Sequence, residues 1–403
     1  MMRADNMNKG KRAYYTTIAS LILFSVFLNM AAWRSAAFSD FYVSNIFPVI
    51  TGLYGRITSL FGFSVGEVML VILVAFIAFV VVFIAVHTAI LAYEKSAGKL
   101  GPNFFKTKRV FDFISGKLYR ITPLVMAVVV TVMSLNCFVL YHTTKLSVYD
   151  SQFTRRYDLQ QLADLRDFIV TQCNDLSKKV PHDEFGNIIY EGNMEETAIR
   201  AMQNLSREYP RLGGYYVTPK PLYYSDFMCQ QYMQGYYFPF SMEANYNDSM
   251  SIMNKPFTMC HELAHTHGYI YEDEANFFGF LACIRSDDVV FKYSGYLGVL
   301  NYINNDFYRA VSKEEYNSHV KISDRVKYDN QFVTKEAWKR VESHAVIKTE
   351  TVKKAADMFI DTNLKVNGVL TGKVSYTHVV ALILDYYYNE PEYAIIISGD
   401  NTL

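Results

Sequence analysis

The sequence lacks a surplus of either charge, because its 39 Lys and Arg residues balance its 39 Asp and Glu residues. It also lacks a basic stripe with interleaved aromatic residues, a glycine-rich phosphate loop and an internal repeat. These absences argue against a nucleic-acid-binding protein, a nucleotide-phosphate site and a repeat architecture. The 403 residues are enough for one large core or for two folding units.

Cysteine is scarce, and its spacing matches neither a disulfide framework nor a CxxC metal pair. One of the five cysteines lies in an apolar run, and the other four lie later in the chain: Cys137, then Cys173, Cys229, Cys260 and Cys283. Buried free thiols are the favoured interpretation, since free cysteine is among the most buried residue types. One or two disulfides stay open if this part of the chain faces an oxidising compartment.

Charge is nearly absent from three long apolar runs near the N-terminus. They cover residues 16–33, 68–91 and 121–141. Each run, with its flanks, is close to the roughly 20 residues that a helix needs to cross a bilayer. We therefore expect residues 1–144 to form a membrane region with three transmembrane helices. The first run also resembles a signal peptide, whose cleavage would leave the later topology unchanged.

Lysine and arginine are distributed unevenly around these runs. The N-terminal tail carries four of them, the loop between the second and third runs carries seven, and the loop between the first and second carries two. Cytoplasmic loops of membrane proteins carry an excess of Lys and Arg. We therefore expect the N-terminus and the second loop in the cytoplasm, and the chain after the third run outside the plasma membrane.

The first external loop contains a stretch, residues 43–63, whose apolar residues have mixed spacing. It fits an interfacial helix that lies on the membrane. It fits equally a loop that packs on the external domain, and the sequence leaves both interpretations open.

Residues 145–403 have the composition of a soluble domain, which we expect outside the membrane. Helical spacing predicts a helix over residues 159–176. A stretch rich in Tyr, Phe and Gly predicts strands and turns over residues 213–246. Further helices are predicted from residue 257 onward and over residues 352–364 and 378–388, the last two separated by turns at 367–368 and 371–372. This order indicates an α+β domain.

The chemistry of this domain is concentrated in His261-Glu262-Leu263-Ala264-His265, which fits the H-E-x-x-H pattern. On a helix, residues four apart project from one face, so both imidazoles can bind one zinc ion. Glu262 is then placed to act as the general base that takes a proton from an attacking water. The alternative is an exposed helix face that happens to carry two histidines.

A third metal ligand is expected shortly after this helix. Gly268 can take the left-handed conformation that ends a helix and turns the chain back. Three adjacent carboxylates follow, those of Glu272, Asp273 and Glu274. If this segment is helical, only one of the three faces the metal well. Helical geometry alone does not decide between Glu272 and Glu274.

The stretch Glu272-x-x-Ala275-Asn276 resembles the E-x-x-A-[DN] element of gluzincin peptidases. The resemblance implies that Glu272 is the third zinc ligand and that Asn276 supports the ligands from one helical turn later. Many gluzincins have Asp at that position. The spacing from His265 to Glu272 is shorter than in most gluzincins and also resembles the metzincin turn, but Tyr271 stands where metzincins place a third histidine.

A longer set of segments resembles an uncharacterised family of bacterial membrane proteins with three spans and a metallopeptidase-like domain. The segments are Pro219-Lys220, Tyr237-Phe238-Pro239-Phe240-x-x-Glu243-Ala244-Asn245, Cys260 to His265, Glu272 to Phe277, and Tyr293-Ser294-Gly295-Tyr296. This resemblance implies a zincin-like α+β fold for the external domain, one bound Zn²⁺ ion and a place in the bacterial envelope.

Four further residues are weaker candidates for the site. Glu243 and Asn245 follow an aromatic strand and precede the metal helix, where zinc peptidases often have an edge strand that pairs with the substrate. A tight turn explains them almost as well. Tyr293 and Tyr296 are candidate donors to an oxyanion, although core packing is the favoured interpretation in a chain so rich in aromatics.

Together these features predict a membrane-anchored zinc metallopeptidase that hydrolyses a polypeptide near the bilayer. The alternative is a zinc-binding envelope scaffold or assembly factor without hydrolytic activity. Glu262 favours the enzyme, because a purely structural site does not need it and usually has four protein ligands.

Overall fold

The computed structural model describes residues 2–97, 102–146, 157–366 and 376–389. Within these ranges the chain is mostly helical and contains one small sheet. In chain order the helices are α1 (Met2–Arg34), α2 (Ala36–Asn45), α3 (Phe47–Thr58), α4 (Val65–Ala97), α5 (Pro102–Asn136), α6 (Leu159–Leu176), α7 (Met194–Asn204), α8 (Ser225–Gln230), α9 (Lys255–Thr266), α10 (Glu272–Ile284), α11 (Val289–Ala310), α12 (Lys313–Ser318), α13 (Asp324–Asp329), α14 (Lys335–His344), α15 (Thr349–Val366) and α16 (Tyr376–Asn389).

Three of these helices are long and apolar enough to cross a membrane, which makes the chain a multi-pass membrane protein. The candidate spans are Gly10–Arg34, Val65–Ser96 and Phe104–Asn136. Helix α4 extends beyond the predicted run 68–91 at both ends, whereas α5 begins well before the predicted run 121–141 and ends at Asn136, five residues before the end of that run. A helix of 33 residues, such as α4, is about 50 Å long, whereas the hydrocarbon core is about 30 Å thick.

Small polar side chains hold the first span against the third. The hydroxyls of Ser25 in α1 and Thr131 in α5 lie 3.0 Å apart, and the Asn29 amide donates to Ser134 Oγ at 2.7 Å. Hydrogen bonds of this kind are the usual polar contacts between membrane helices. They hold the C-terminal ends of α1 and α5 next to each other.

The connection between the first two spans is helical and packs on the later part of the chain. Its helices, α2 and α3, share a buried apolar cluster with residues that flank the site described below, including Met242 and Ile270. The Thr51 hydroxyl donates to the carbonyl of Thr266, at the end of α9, at 3.2 Å. Residues 43–63 therefore pack on the domain, as one of the two interpretations had it, while the side chains of Val49, Leu53, Ile57 and Leu60 stay exposed.

The sheet is smaller than an α+β domain would suggest. Its strands are β1 (Lys220–Pro221), β2 (Gly235–Phe238) and β3 (Glu243–Tyr246), in the order β1-β3-β2. Strand β3 is central, parallel to β1 and antiparallel to β2. The stretch 213–246 yields only short strands because it turns repeatedly, with positive φ at Tyr232 and Met242. The part of the chain after the spans is thus mainly helical.

The main core surrounds α9 and α10, which pack on each other and on α7, α11 and α16. Leu263, Ala264, Phe278 and Phe280 are fully buried at their contact. Helix α6 covers the predicted residues 159–176, and α15 and α16 confirm the last two predicted helices. The turns predicted at 367–368 and 371–372 lie outside the described residues.

Candidate metal centre

The H-E-x-x-H segment forms a helix whose start and end follow from its sequence. Pro256 occupies the first turn of α9, where its missing N–H has no helical partner to lose. The helix ends at Thr266, and Gly268 has a φ of +83°. That left-handed conformation turns the chain, and α10 begins at Glu272. The predicted helix and glycine turn are both present.

The turn brings His261, His265 and Glu272 together. The two Nε2 atoms are 3.1 Å apart. Glu272 Oε2 lies 3.2 Å from His261 Nε2, and Oε1 lies 3.8 Å from His265 Nε2. Ligand atoms around a tetrahedral zinc ion with bonds of about 2.1 Å are about 3.4 Å apart. The donor set and its spacing therefore fit zinc.

His265 is fixed in the tautomer that a metal requires. Its Nδ1 lies 2.7 Å from the carbonyl oxygen of Tyr269. A carbonyl only accepts, so Nδ1 carries the proton and Nε2 presents its lone pair to the site. Burial lowers the pKa of His265 to about 4, which keeps the ring neutral at pH 7.

Glu272 supplies the negative charge of the cluster. Burial alone would raise the pKa of Glu272, but the hydrogen bond from His261 and the charges of both imidazoles lower it to about 2.

The pKa of His261 is raised. Burial opposes protonation of this ring, but the contacts with Glu272, with smaller contributions from Glu262 and Asn276, outweigh that effect. Asn276 therefore lies beside His261; its supporting role at a metal stays a prediction. Glu272 keeps 38% of its side chain exposed, so the cluster remains open on one side.

Glu262 lies beside the cluster in a nearly dry environment, with 4% of its surface exposed. Burial raises its pKa to about 8. The charge of His261 opposes this rise, the charge of Glu272 adds to it, and the backbone N–H of Tyr237 lowers the value slightly. Its Oε2 atom has no hydrogen-bond partner among the described residues. A buried carboxylate whose pKa lies near neutrality is typical of a general base.

The absence of a side chain at Gly235 leaves space for the Glu262 side chain. The sequence analysis did not identify this glycine as part of the site. A Cβ atom at position 235 would lie 2.7 Å from Glu262 Oε1 and 2.6 Å from the carbonyl oxygen of Asn245. A side chain at this position would therefore clash with the candidate base. A glycine that opens an aromatic strand marks a close approach of the backbone, and that signal was available in the sequence.

The other two carboxylates of the triplet have different surroundings. Glu274 is buried, and its Oε1 accepts the N–H of Leu146 at 2.8 Å. Asp273 is also buried, with its Oδ2 3.7 Å from His378 Nδ1. Among the described residues, only Glu272 of the three joins the two histidines.

Glu243 and Asn245 lie on β3, which is the central strand of the sheet and not the edge strand that the sequence interpretation assumed. Both are buried; Asn245 is paired with Lys220 of β1 and Tyr236 of β2, and Glu243 is paired with Phe238 of β2. The Glu243 carboxylate accepts the N–H groups of Val65 and Gly66 at 3.1 and 2.7 Å and the Lys220 ammonium at 2.7 Å. Glu243 therefore ties the sheet to the start of α4.

The two tyrosines of α11 lie in the main core. Tyr293 is fully buried and donates its hydroxyl to Asp329 at 3.0 Å. Tyr296 packs its ring edge-on against Phe168 and Phe280. The favoured interpretation of core packing describes both side chains.

The five cysteines are free and buried, as the favoured interpretation had them. Cys260 points away from the cluster, and its Sγ lies 3.9 Å from Cys283 Sγ in the contact between α9 and α10.

Comparison with known proteins supports a family but no activity. Searches of curated proteins and of solved structures return no match. A scan of family models matches residues 42–384, a range that includes the second and third spans, the sheet and the His261–His265–Glu272 cluster. The likeness to gluzincin peptidases stays a prediction. The matched range covers most of the chain, and the protein belongs to the family described as "Protein of unknown function (DUF3810)".

Proposed function

We propose that this protein is a membrane-anchored zinc metallopeptidase with a zincin-like external domain. One observation carries the proposal. The ligand atoms of His261, His265 and Glu272 lie within 4.8 Å of one another, with Glu262 on the same helix as both histidines. Three protein ligands with one open side are typical of a catalytic zinc site, whereas structural sites are closed by four.

In the proposed mechanism, three side chains bind the metal and a fourth acts as the general base. His261, His265 and Glu272 would hold the ion, which supplies a Lewis acid that acidifies water and polarises a carbonyl. Glu262 would accept a proton from the attacking water and deliver it to the leaving nitrogen. A neighbouring cation favours the ionised form of a carboxylate. A bound ion would therefore lower the pKa of Glu262 from about 8 and favour the ionised form, which can accept a proton. The Tyr269 carbonyl keeps His265 in the right tautomer.

The sheet favours a polypeptide substrate. Strand β2 lies at the edge of the sheet and passes against Glu262 at Gly235. Extended peptides often bind by adding a strand to such an edge. We place the substrate beside the free edge of β2 rather than beside β3, because β3 is the central strand and its Asn245 is paired with both β1 and β2.

The proposed location is the plasma membrane, with the N-terminus in the cytoplasm and the metal centre outside. The distribution of Lys and Arg supports this orientation. The packing of α2 and α3 on the turn after α9 keeps the centre close to the outer ends of the spans, which favours a substrate near the bilayer.

The proposal is tested by metal analysis of the purified full chain, combined with digestion of a mixed peptide library. We expect one zinc ion per chain and cleavage that a chelator abolishes. Stoichiometric zinc without cleavage of any peptide would favour the scaffold alternative. Absence of zinc after reconstitution would overturn the metal centre itself.

A further inference from the structure

Six large apolar side chains are exposed next to the start of α4. They come from two segments that are distant in sequence, residues 60–63 and 223–227. Each keeps at least 44% of its surface exposed: Leu60, Phe61, Phe63, Tyr223, Tyr224 and Phe227. We name these six residues the aromatic ridge. Exposed apolar patches on a folded domain usually mark an interaction surface.

Hydrogen bonds fix the second segment of the ridge to the first turn of α4. The backbone N–H groups of Tyr223 and Tyr224 donate to the two carboxylate oxygens of Glu67 at 2.8 and 2.7 Å. The Lys220 ammonium donates to the carbonyl of Phe63 at 3.0 Å, which holds the first segment beside it. Both segments therefore lie at the same end of the same span.

The position of Glu67 sets the depth of the ridge relative to the membrane. A charged residue in the first turn of a span belongs at the level of the lipid headgroups, because burial in hydrocarbon is costly. The apolar stretch of α4 follows at once, and Val68, Met69 and Leu70 are exposed along it. The ridge is continuous with this lipid-facing surface. Tyrosine and other aromatic rings favour that interfacial level.

We propose that the aromatic ridge inserts into the interfacial layer of the bilayer, so that the domain binds lipid through its own surface as well as through three spans. The partner is the lipid surface itself. The inference depends neither on zinc nor on which side of the membrane the domain occupies. Because Lys220 bonds both Phe63 and Glu243, this contact also fixes the sheet relative to the membrane.

The test places a nitroxide spin label at Tyr223→Cys in the full chain, reconstituted in zwitterionic lipid vesicles. Molecular oxygen concentrates in lipid, and a hydrophilic nickel chelate concentrates in water, so collision rates with each report the surroundings. Phe185→Cys is the matched control, because Phe185 is 81% exposed and Tyr223 is 86% exposed. Phe185 lies in the loop formed by residues 183–187. The carbonyl oxygen of Gly186 in this loop accepts a hydrogen bond from the Arg325 guanidinium. The native cysteines are buried, and the unmodified protein gives their background labelling.

We expect the label at Tyr223 to collide preferentially with oxygen and the label at Phe185 to collide preferentially with the nickel chelate. Phe227→Cys should repeat the Tyr223 pattern, which guards against a local effect of one substitution. If the label at Tyr223 preferred the nickel chelate as strongly as the label at Phe185, the ridge would lie in water and the proposal would be wrong. If the label at Tyr223 were protected from both reagents, a protein partner rather than lipid would cover the ridge, and the proposal would again be wrong.

Discussion

Replacing Gly235 by alanine should impair catalysis without removing the metal. The added Cβ would meet the Asn245 carbonyl oxygen at 2.6 Å, Glu262 Oε1 at 2.7 Å and Thr258 Cγ2 at 2.8 Å. An ordinary contact begins near 3.4 Å, so position 235 must move by about 0.8 Å from the Asn245 carbonyl oxygen and by about 0.7 Å from Glu262 Oε1. Overpacking of this kind costs about 1–3 kcal/mol of stability.

A displacement of about 1 Å in a catalytic group can lower the rate about 10²-fold. We therefore expect kcat of Gly235→Ala to fall about 100-fold on a cleaved peptide, with zinc content unchanged, because the three proposed ligands lie outside this contact. Gly52→Ala is the matched control, since a Cβ at Gly52 meets nothing within 4 Å. Full activity and unchanged stability of Gly235→Ala would refute the packing of β2 against Glu262.

Three further predictions concern the ligands, the anchor of the second span and the topology. Zinc affinity, measured by competition with a chelator, should fall sharply in Glu272→Ala and much less in Glu274→Ala; the reverse order would mean that the third ligand is wrongly assigned. Lys220→Met should lower the free energy of unfolding by about 3 kcal/mol, because it leaves the carboxylate of Glu243 buried without its cation, and an unchanged thermal midpoint would contradict this. Protease added to spheroplasts should digest the domain after α5, whereas labelling of the 92–120 region from outside would reverse the orientation.

Local signals account for the parts of the structure that the sequence predicted well. Helix α6 covers the predicted residues because its spacing is regular and because Asp158 and Gln161 form a capping box at its start. The approach of His261 and His265 follows from their separation of one helical turn. Gly268 supplied the turn that brings Glu272 back to them. In each case the determining residues are neighbours in the chain.

Contacts between distant residues account for what the sequence did not reveal. Glu243 accepts from N–H groups 177 and 178 positions earlier in the chain, so no local pattern indicates that it anchors a membrane span. Gly235 gains its meaning only when β2 lies beside Glu262. The small size of the sheet was also hidden, because Tyr and Phe favour strands while the backbone between them turns.

The most direct test of the proposed chemistry is the Glu262→Gln variant of the full chain, assayed for zinc content and peptide hydrolysis together. The amide keeps the shape of the side chain and loses the base, so we expect one zinc ion per chain and a rate lower by roughly 10²–10⁴-fold. Glu274→Gln, a matched change at a buried carboxylate on α10, should keep both zinc and activity. Hydrolysis at the wild-type rate by Glu262→Gln would contradict the assignment of Glu262 as the base.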